Sequence, residues 1–228
     1  VEHAAELAAE ITSRAAEIEQ ARRVPTDLSQ KLAAAGFYRM FVPAAVGGLE
    51  ASPVIGARVF ETLARADASV AWVAFIGATS GTALAQIPEA TAREIFASPE
   101  TMIAGVFAPN GKAERTAGGF VADGRWQWGS GCENAQWILG GCTLHEHGEP
   151  MKTESGTPRR HMLLFPTSDV ELLDTWHVSG LRGTGSTDFR VQSIFVPDER
   201  VLGYLECEAP VRPLYRFLNF TLLALGIG

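Results

Sequence analysis

The first hundred residues carry apolar side chains at helical spacing. Over residues 1–23, alanine, leucine and isoleucine recur every three or four positions among charged residues, which predicts one amphipathic helix. Ser52 followed by Pro53 is a typical helix start, and Asp67 precedes a long, nearly all-apolar run. A helix that is apolar on every side is buried. The pattern therefore predicts an all-α domain over residues 1–100, built around the helix that follows Asp67.

The pattern changes to short alternating runs at about residue 101. Turn sequences separate these runs, as they do in sheets. The runs cover residues 102–107, 119–121, 125–128, 137–144, 161–165, 170–173 and 189–196. In the last run, Phe189, Val191, Ser193 and Phe195 would share one face. Seven short strands at this spacing predict an antiparallel β-barrel or sandwich over residues 101–208.

The chain returns to a helical pattern after Pro210. One face of this helix would be apolar, formed by Leu214, Phe217, Leu218, Leu222 and Leu225. Because nothing after it covers that face, we expect residues 209–228 to be the start of a C-terminal helical bundle, truncated in this chain. The predicted fold class is thus α+β, with an all-α domain, a β-domain and the first turns of a bundle.

Charge and cysteine content limit the possible functions. The net charge is −7 with dispersed lysine and arginine, which argues against nucleic-acid binding. Three cysteines, Cys132, Cys142 and Cys207, have no framework spacing, which indicates a reducing, cytoplasmic setting. We find no signal-peptide or membrane-span pattern, so no membrane association is expected. Cys142, His145 and His147 do not have a recognised zinc spacing, so no metal site is predicted.

Two segments combine glycine with aromatic, hydroxyl or carboxylate side chains, which can contact a ligand. Residues 126–131, Trp-Gln-Trp-Gly-Ser-Gly, form an aromatic strand that opens into a turn. Residues 180–188 hold three glycines with Thr184, Ser186 and Asp188. This loop lacks the Gly-Lys-Ser/Thr ending of a phosphate loop, and it precedes a strand rather than a helix. On the first motif alone, two core tryptophans with an ordinary turn remain the simpler interpretation.

Taken together, the two segments resemble the middle domain of the acyl-CoA dehydrogenase superfamily, and most closely its flavin-dependent monooxygenase branch. The resemblance implies a bound flavin, FMN or FAD. It implies that Trp128 forms a flat wall for the ring, while the Ser130 hydroxyl and the Gly131 amide act as donors. Ser130, beside the reactive ring nitrogen, would be catalytic. Pro109 stands where dehydrogenases usually carry a hydroxyl side chain, which favours the monooxygenases.

The same resemblance implies further contacts. Phe107 and Pro109, at the end of the first β-domain strand, and Thr184 and Ser186 of the glycine-rich loop would touch the flavin. Arg182 would pair with a phosphate or a carboxylate, although an exposed arginine in a structural turn fits equally well.

Trp72 and Ser80, on the buried helix, would line the substrate pocket. Some phenol hydroxylases of the branch carry a histidine eight residues after this tryptophan. Because Ser80 stands there instead, a phenol bound by that histidine is not expected.

The implied function is oxygenation of a small organic substrate by reduced FMN or FAD and O2. A separate reductase would supply the flavin, and the protein would be a homo-oligomer, a homotetramer in the family's manner. An acyl-CoA dehydrogenase with FAD is the alternative within the superfamily. A non-catalytic assembly protein, which would bind no flavin, is the alternative of another class.

Overall fold

Six α-helices precede the sheet in the computed structural model, which describes residues 1–206 and 213–216. They are α1 (Glu2–Ser13), α2 (Ala15–Ala21), α3 (Thr26–Ala34), α4 (Pro53–Ala66), α5 (Ala68–Ser80) and α6 (Glu89–Ile95). The helical character predicted for the first hundred residues is confirmed. Helix α7 (Pro213–Arg216) follows the sheet, and Leu214 packs against the core. The rest of the apolar face predicted for residues 210–228 lies outside the described residues.

The predicted helix starts before α4 and α5 are confirmed by their caps. The Ser52 hydroxyl accepts from the Ile55 amide, and the Asp67 carboxylate accepts from the Val70 amide. Helix α5 and the 3-10 turn that follows it are long and apolar enough to cross a membrane by length and composition. However, 72% of that apolar window is buried inside the protein. Helix α5 is therefore the central core helix that its sequence predicted.

A break at Arg14 divides the N-terminal helix, so the prediction of one helix over residues 1–23 is wrong. The Arg14 backbone leaves helical geometry, with φ −101°. Its guanidinium donates to Glu17 and, at 2.6 Å, to Asp27 Oδ2 in the first turn of α3. The bend lets one side chain bridge α2 and α3, an interaction that helical periodicity does not reveal.

The strands form one open, mixed sheet. They are β1 (Ile103–Thr116), β2 (Gly119–Gly129), β3 (Trp137–Glu146), β4 (Glu149–Pro150), β5 (Arg160–Pro166), β6 (Glu171–Leu173) and β7 (Thr187–Pro197). Their order is β4-β3-β1-β2-β7-β6, with β5 also on β3. The sheet is mostly antiparallel, as predicted, but it is not closed into a barrel, and β1 pairs with β3 in parallel. The β1–β2 hairpin returns the chain to the end where β1 begins, so β3 starts there and runs alongside β1.

Strand β1 continues through Pro109, although the sequence predicted that it would end at Phe107. Its register against β3 shifts between Val106 and Gly111, which leaves Pro109 in an exposed bulge. A proline is tolerated at such a position because no amide hydrogen is needed there. The predicted turn is therefore an irregularity within a strand.

A second bulge, at Ser193, changes the face that β7 presents to the core. Its register against β2 shifts there, and Ser193 has φ +53°. Phe189 and Val191 are buried, but Phe195 is 51% exposed and Val196 is buried instead. The prediction that Phe189, Val191, Ser193 and Phe195 share one face is therefore wrong beyond Val191, since one extra residue reverses the alternation.

Trp126 lies at the centre of the sheet's core. It is fully buried, stacks on Phe189 with ring centroids 4.9 Å apart, and donates its indole N–H to the Gly141 carbonyl. A Cβ atom at Gly111 or Gly124 would come within 2.5 Å of the indole, so both must be glycine. This anchor holds β2 against β3 and β7.

Candidate functional site

The end of β2, the glycine-rich loop before β7 and helix α5 converge at one end of the sheet. Gly129, the last residue of β2, pairs with Thr187, the first of β7. Because the two strands are antiparallel neighbours, the residues just after β2 meet those just before β7. The Gly131 amide donates to the Thr184 carbonyl at 2.9 Å. That amide was predicted to be a flavin donor, but its hydrogen is already used inside the protein.

Four side chains at this point form a continuous hydrogen-bond chain. Trp72 Nε1, on α5, donates to Ser130 Oγ at 2.9 Å. Ser130 Oγ lies 2.7 Å from Ser186 Oγ, which lies 2.7 Å from Thr184 Oγ1. Thr184 Oγ1 donates to the Leu181 carbonyl at 2.9 Å. The hydroxyls are buried, and Ser130, at 9% exposure, is the most accessible of them. The chain ties the α5 helix to both segments that the sequence singled out.

Large apolar side chains are exposed beside this chain. Trp128 has φ +64° and is 69% exposed, whereas Trp126, two residues earlier, is fully buried. Leu181, in the glycine-rich loop, and Phe107, on β1, are also exposed. Exposed groups of this size commonly mark a surface that a ligand or partner covers. The arrangement fits a flat apolar ring whose edge reaches the Ser130 hydroxyl.

Arg182 lies in the same loop but does not pair with its nearest carboxylate in sequence. Asp188 accepts from Arg125 at 2.7 Å instead. The Arg182 Nε atom is buried and has no hydrogen-bond partner among the residues that the structure describes. The neighbouring Gly183 packs so tightly that a Cβ atom there would lie 2.3 Å from Ile18 on α2. Arg182 thus retains an unused N–H donor in a tightly packed loop, which agrees with an anionic ligand.

Some of the predicted site residues are brought together by hydrogen bonds, and others are not. Trp72, Ser130, Thr184 and Ser186 are joined by hydrogen bonds. Ser80 is buried at the far end of α5. Burial raises the pKa of the Cys132 thiol, so this cysteine stays neutral beneath Gly129. Sequence reasoning missed Leu181; a leucine inside a polar glycine-rich loop was the available signal.

Comparisons with known proteins agree with this fold and site. Residues 2–95 match the family model for the acyl-CoA dehydrogenase N-terminal domain. The chain is 33% identical over 195 residues to the flavin-dependent monooxygenase oxygenase subunit HsaA of Rhodococcus jostii (strain RHA1). It is 35% identical over 208 residues to the FADH(2)-dependent resorcinol hydroxylase oxygenase component of Rhizobium sp. (strain MTP-10005).

These matches cover 85% and 90% of this chain but only 49% of each relative. Among solved structures, 3-HSA hydroxylase from Rhodococcus sp. RHA1 superposes with a TM-score of 0.88 at 28% identity, over 99% of this chain and 61% of that one. The resemblance to the acyl-CoA dehydrogenase superfamily, and within it to the flavin-dependent monooxygenase branch, is thereby confirmed. The chain spans about half the length of the two relatives.

Proposed function

We propose that this protein is the oxygenase component of a flavin-dependent monooxygenase. It would receive reduced FMN or FAD from a separate reductase and use O2 to hydroxylate a small organic substrate. Two relatives, each more than 30% identical over most of this chain, carry such names. The observation that carries the proposal is the exposed Trp128 next to the nearly buried Ser130 hydroxyl, which matches the flat wall and polar edge that a flavin needs.

The residues present fit a flavin ring. Trp128 and Phe107 offer apolar surface for the ring, and Ser130 offers one polar atom at its edge. When bound, the reduced flavin supplies the electrons that activate O2. The protein binds the ring, orients it through Ser130 and excludes water around it with apolar side chains.

The substrate would lie on the α5 side of the ring. Trp72 stacks on Phe75 with centroids 5.4 Å apart, which holds its indole next to Ser130. Ser80 is on the same helix, two turns further along. A homotetramer in the cytoplasm is part of the same proposal.

Oxygen consumption by the full-length protein tests this function. We expect it to consume O2 and release hydroxylated product when it is given FMNH2 or FADH2 and a small aromatic substrate. Trp128→Ala should weaken flavin binding about tenfold, because it removes a large apolar contact surface. Phe195→Ala is the matched control, since Phe195 is also an exposed aromatic but lies at the opposite end of β7.

Two results would contradict the proposal. If an acyl-CoA thioester bleached the oxidised flavin of the protein under anaerobic conditions, the protein would be a dehydrogenase. If Trp128→Ala and Phe195→Ala had equal effects on flavin affinity, Trp128 would not be part of the flavin site.

A further inference from the structure

The hydrogen-bond chain at the site has only one direction in which every member is satisfied. The Thr184 hydroxyl donates to the Leu181 carbonyl, which has no hydrogen to give in return. Thr184 Oγ1 must therefore accept from Ser186, and Ser186 Oγ must accept from Ser130. The Ser130 hydrogen is thus committed to Ser186.

What remains at Ser130 is acceptor capacity alone. A hydroxyl oxygen has one hydrogen and two lone pairs. The hydrogen goes to Ser186, and one lone pair accepts from Trp72 Nε1. The indole N–H can only donate, so this bond also has a fixed direction. One lone pair is left, and Ser130 is the most exposed of the three residues that carry these hydroxyls. A ligand that reaches Ser130 must therefore bring a donor.

The oxidised and reduced states of a flavin differ in whether their N5 atom can donate a hydrogen bond. The N5 atom of the oxidised ring has a lone pair and no hydrogen, whereas N5 of the reduced ring carries N–H. Hydrogen bonds to ring nitrogens are a principal means by which proteins tune the electronic properties of a bound flavin. An acceptor-only Ser130 would bond to the reduced ring and would oppose a lone pair on the oxidised ring.

We propose that Thr184 and Ser186 are positioning residues that make the site selective for reduced flavin, by fixing Ser130 as an acceptor. This inference rests on the proposed function and adds to it a cause for selectivity between redox states. It also changes the predicted role of Ser130, because the sequence suggested a donor. Thr184 is 2% exposed, so in this proposal it acts through two intervening hydrogen bonds and not through the direct flavin contact that the sequence predicted.

The variant Thr184→Val tests this without altering Ser130. It removes the only group that fixes the direction of the chain, so Ser186 can donate to Ser130 and the Ser130 hydrogen is released toward N5. We expect the ratio of the oxidised-flavin Kd to the reduced-flavin Kd to fall about fivefold, the effect of one hydrogen bond. The midpoint potential of the bound flavin should become more negative in step.

Thr184→Ser is the matched control, because it keeps the hydroxyl and should keep the wild-type ratio. Ser186→Ala is a second test, since it also releases the Ser130 hydrogen, and it serves if Thr184→Val fails to fold. Both Kd values are measured on full-length protein by anaerobic and aerobic titration with FMN and with FAD.

The outcomes separate the two proposals. Binding of neither flavin in either redox state would overturn the proposed function and this inference with it. Tight binding of reduced flavin with the same Kd ratio in wild type, Thr184→Val and Ser186→Ala would overturn this inference alone. A fall in the ratio that is equally large in Thr184→Ser would also overturn it, since the hydroxyl would then be irrelevant.

Discussion

Trp126 and Trp128, two residues apart on β2, lie in opposite environments, one fully buried and one 69% exposed. Trp126 points into the core of the sheet, and its indole is enclosed by aromatic rings and by glycines. Trp128 takes a left-handed backbone conformation that turns its side chain outward. Strand alternation alone would give both side chains the same face, because they are two residues apart. The left-handed residue is what gives the two tryptophans separate roles.

Replacing each tryptophan by alanine should separate stability from binding. Trp126→Ala leaves a large cavity in a fully buried site, and we expect it to lower the free energy of unfolding by about 3–5 kcal/mol. Trp128→Ala removes an exposed side chain and should change that free energy by about 0.5 kcal/mol or less. Urea denaturation measures both. Equal losses of stability would mean that Trp128 packs against the protein more closely than described.

At the residue scale, the sequence predicted local features and missed those that join distant positions. The caps at Ser52 and Asp67 were predictable because a cap needs only its own first turn. The Trp72–Ser130 hydrogen bond was not, because 58 positions separate the two residues. The sequence assigned one to the substrate and the other to the flavin without any sign that they touch.

At the scale of single elements, the bulge in β7 controls which side chains reach the core. Ser193 adopts a left-handed conformation, and its amide donates to Asp123 Oδ1 at 2.9 Å. Sequence alternation predicts a regular strand, because a bulge is set by the partner strand as much as by its own residues. The parallel pairing of β1 with β3 was missed for the same reason, since neither strand carries a signal of its partner.

Substitutions at Ser193 should follow backbone conformation rather than strand propensity. Ser193→Gly should leave the melting temperature unchanged or raise it, because glycine adopts a positive φ without strain. Ser193→Val should destabilise the protein by about 1–2 kcal/mol, although valine is the better strand former. Thermal unfolding of the two variants checks this. The opposite ranking would show that β7 is regular at this point in solution.

The contact between Arg14 and Asp27 makes the helical region sensitive to acid. The Arg14 guanidinium lowers the pKa of Asp27 to about 2, from an ordinary value of 3.8. Because the pKa of Asp27 is lower in the folded state than in the unfolded state, the ion pair stabilises the folded protein at pH values above about 4. This stabilisation is lost as the pH falls from about 4 through 2. Asp27 is more than half exposed, so solvent screening keeps the contribution below about 1 kcal/mol.

Asp27→Asn should remove part of the acid sensitivity. The difference in the urea midpoint between wild type and this variant should be largest near pH 5, should be small near pH 2 and should vanish near pH 1. Asp169→Asn, at an exposed carboxylate in a turn, provides the comparison. A wild-type advantage that persisted unchanged at pH 2 would contradict the assignment to this ion pair.

At the scale of the whole molecule, helices and sheet share one core. A single cluster of buried residues runs from Ile11 and Leu28 through α5 to Met102 and Trp126. A Cβ atom at Gly77 would come within 2.4 Å of Tyr38 and 3.2 Å of Met102, so α5 touches both parts at close range. The sequence predicted a boundary at residue 100 from the change in periodicity, but periodicity carries no information about what packs across it.

We therefore expect one unfolding transition for both parts. With 5-fluorotryptophan incorporated, the 19F signals of Trp72 on α5 and Trp126 on β2 should be lost at the same urea concentration. Gly77→Ala should shift both signals together to lower urea, because it overpacks the shared core. Gly180→Ala, where a Cβ atom has open space, should shift neither. Two separate transitions would show that the parts fold independently.

The hydrogen bond between Ser130 and Ser186 also has a consequence for how the protein is made. These residues are 56 positions apart, and they flank the last pair of the β2–β7 ladder. Closing so long a loop is entropically costly and slow, so strand β7 docks after the β1–β2 hairpin has formed. During synthesis, Ser130 leaves the ribosome well before its partner does. A nascent chain therefore completes the hydrogen-bond chain from Trp72 to Thr184 only when the residues that lead into β7 have emerged.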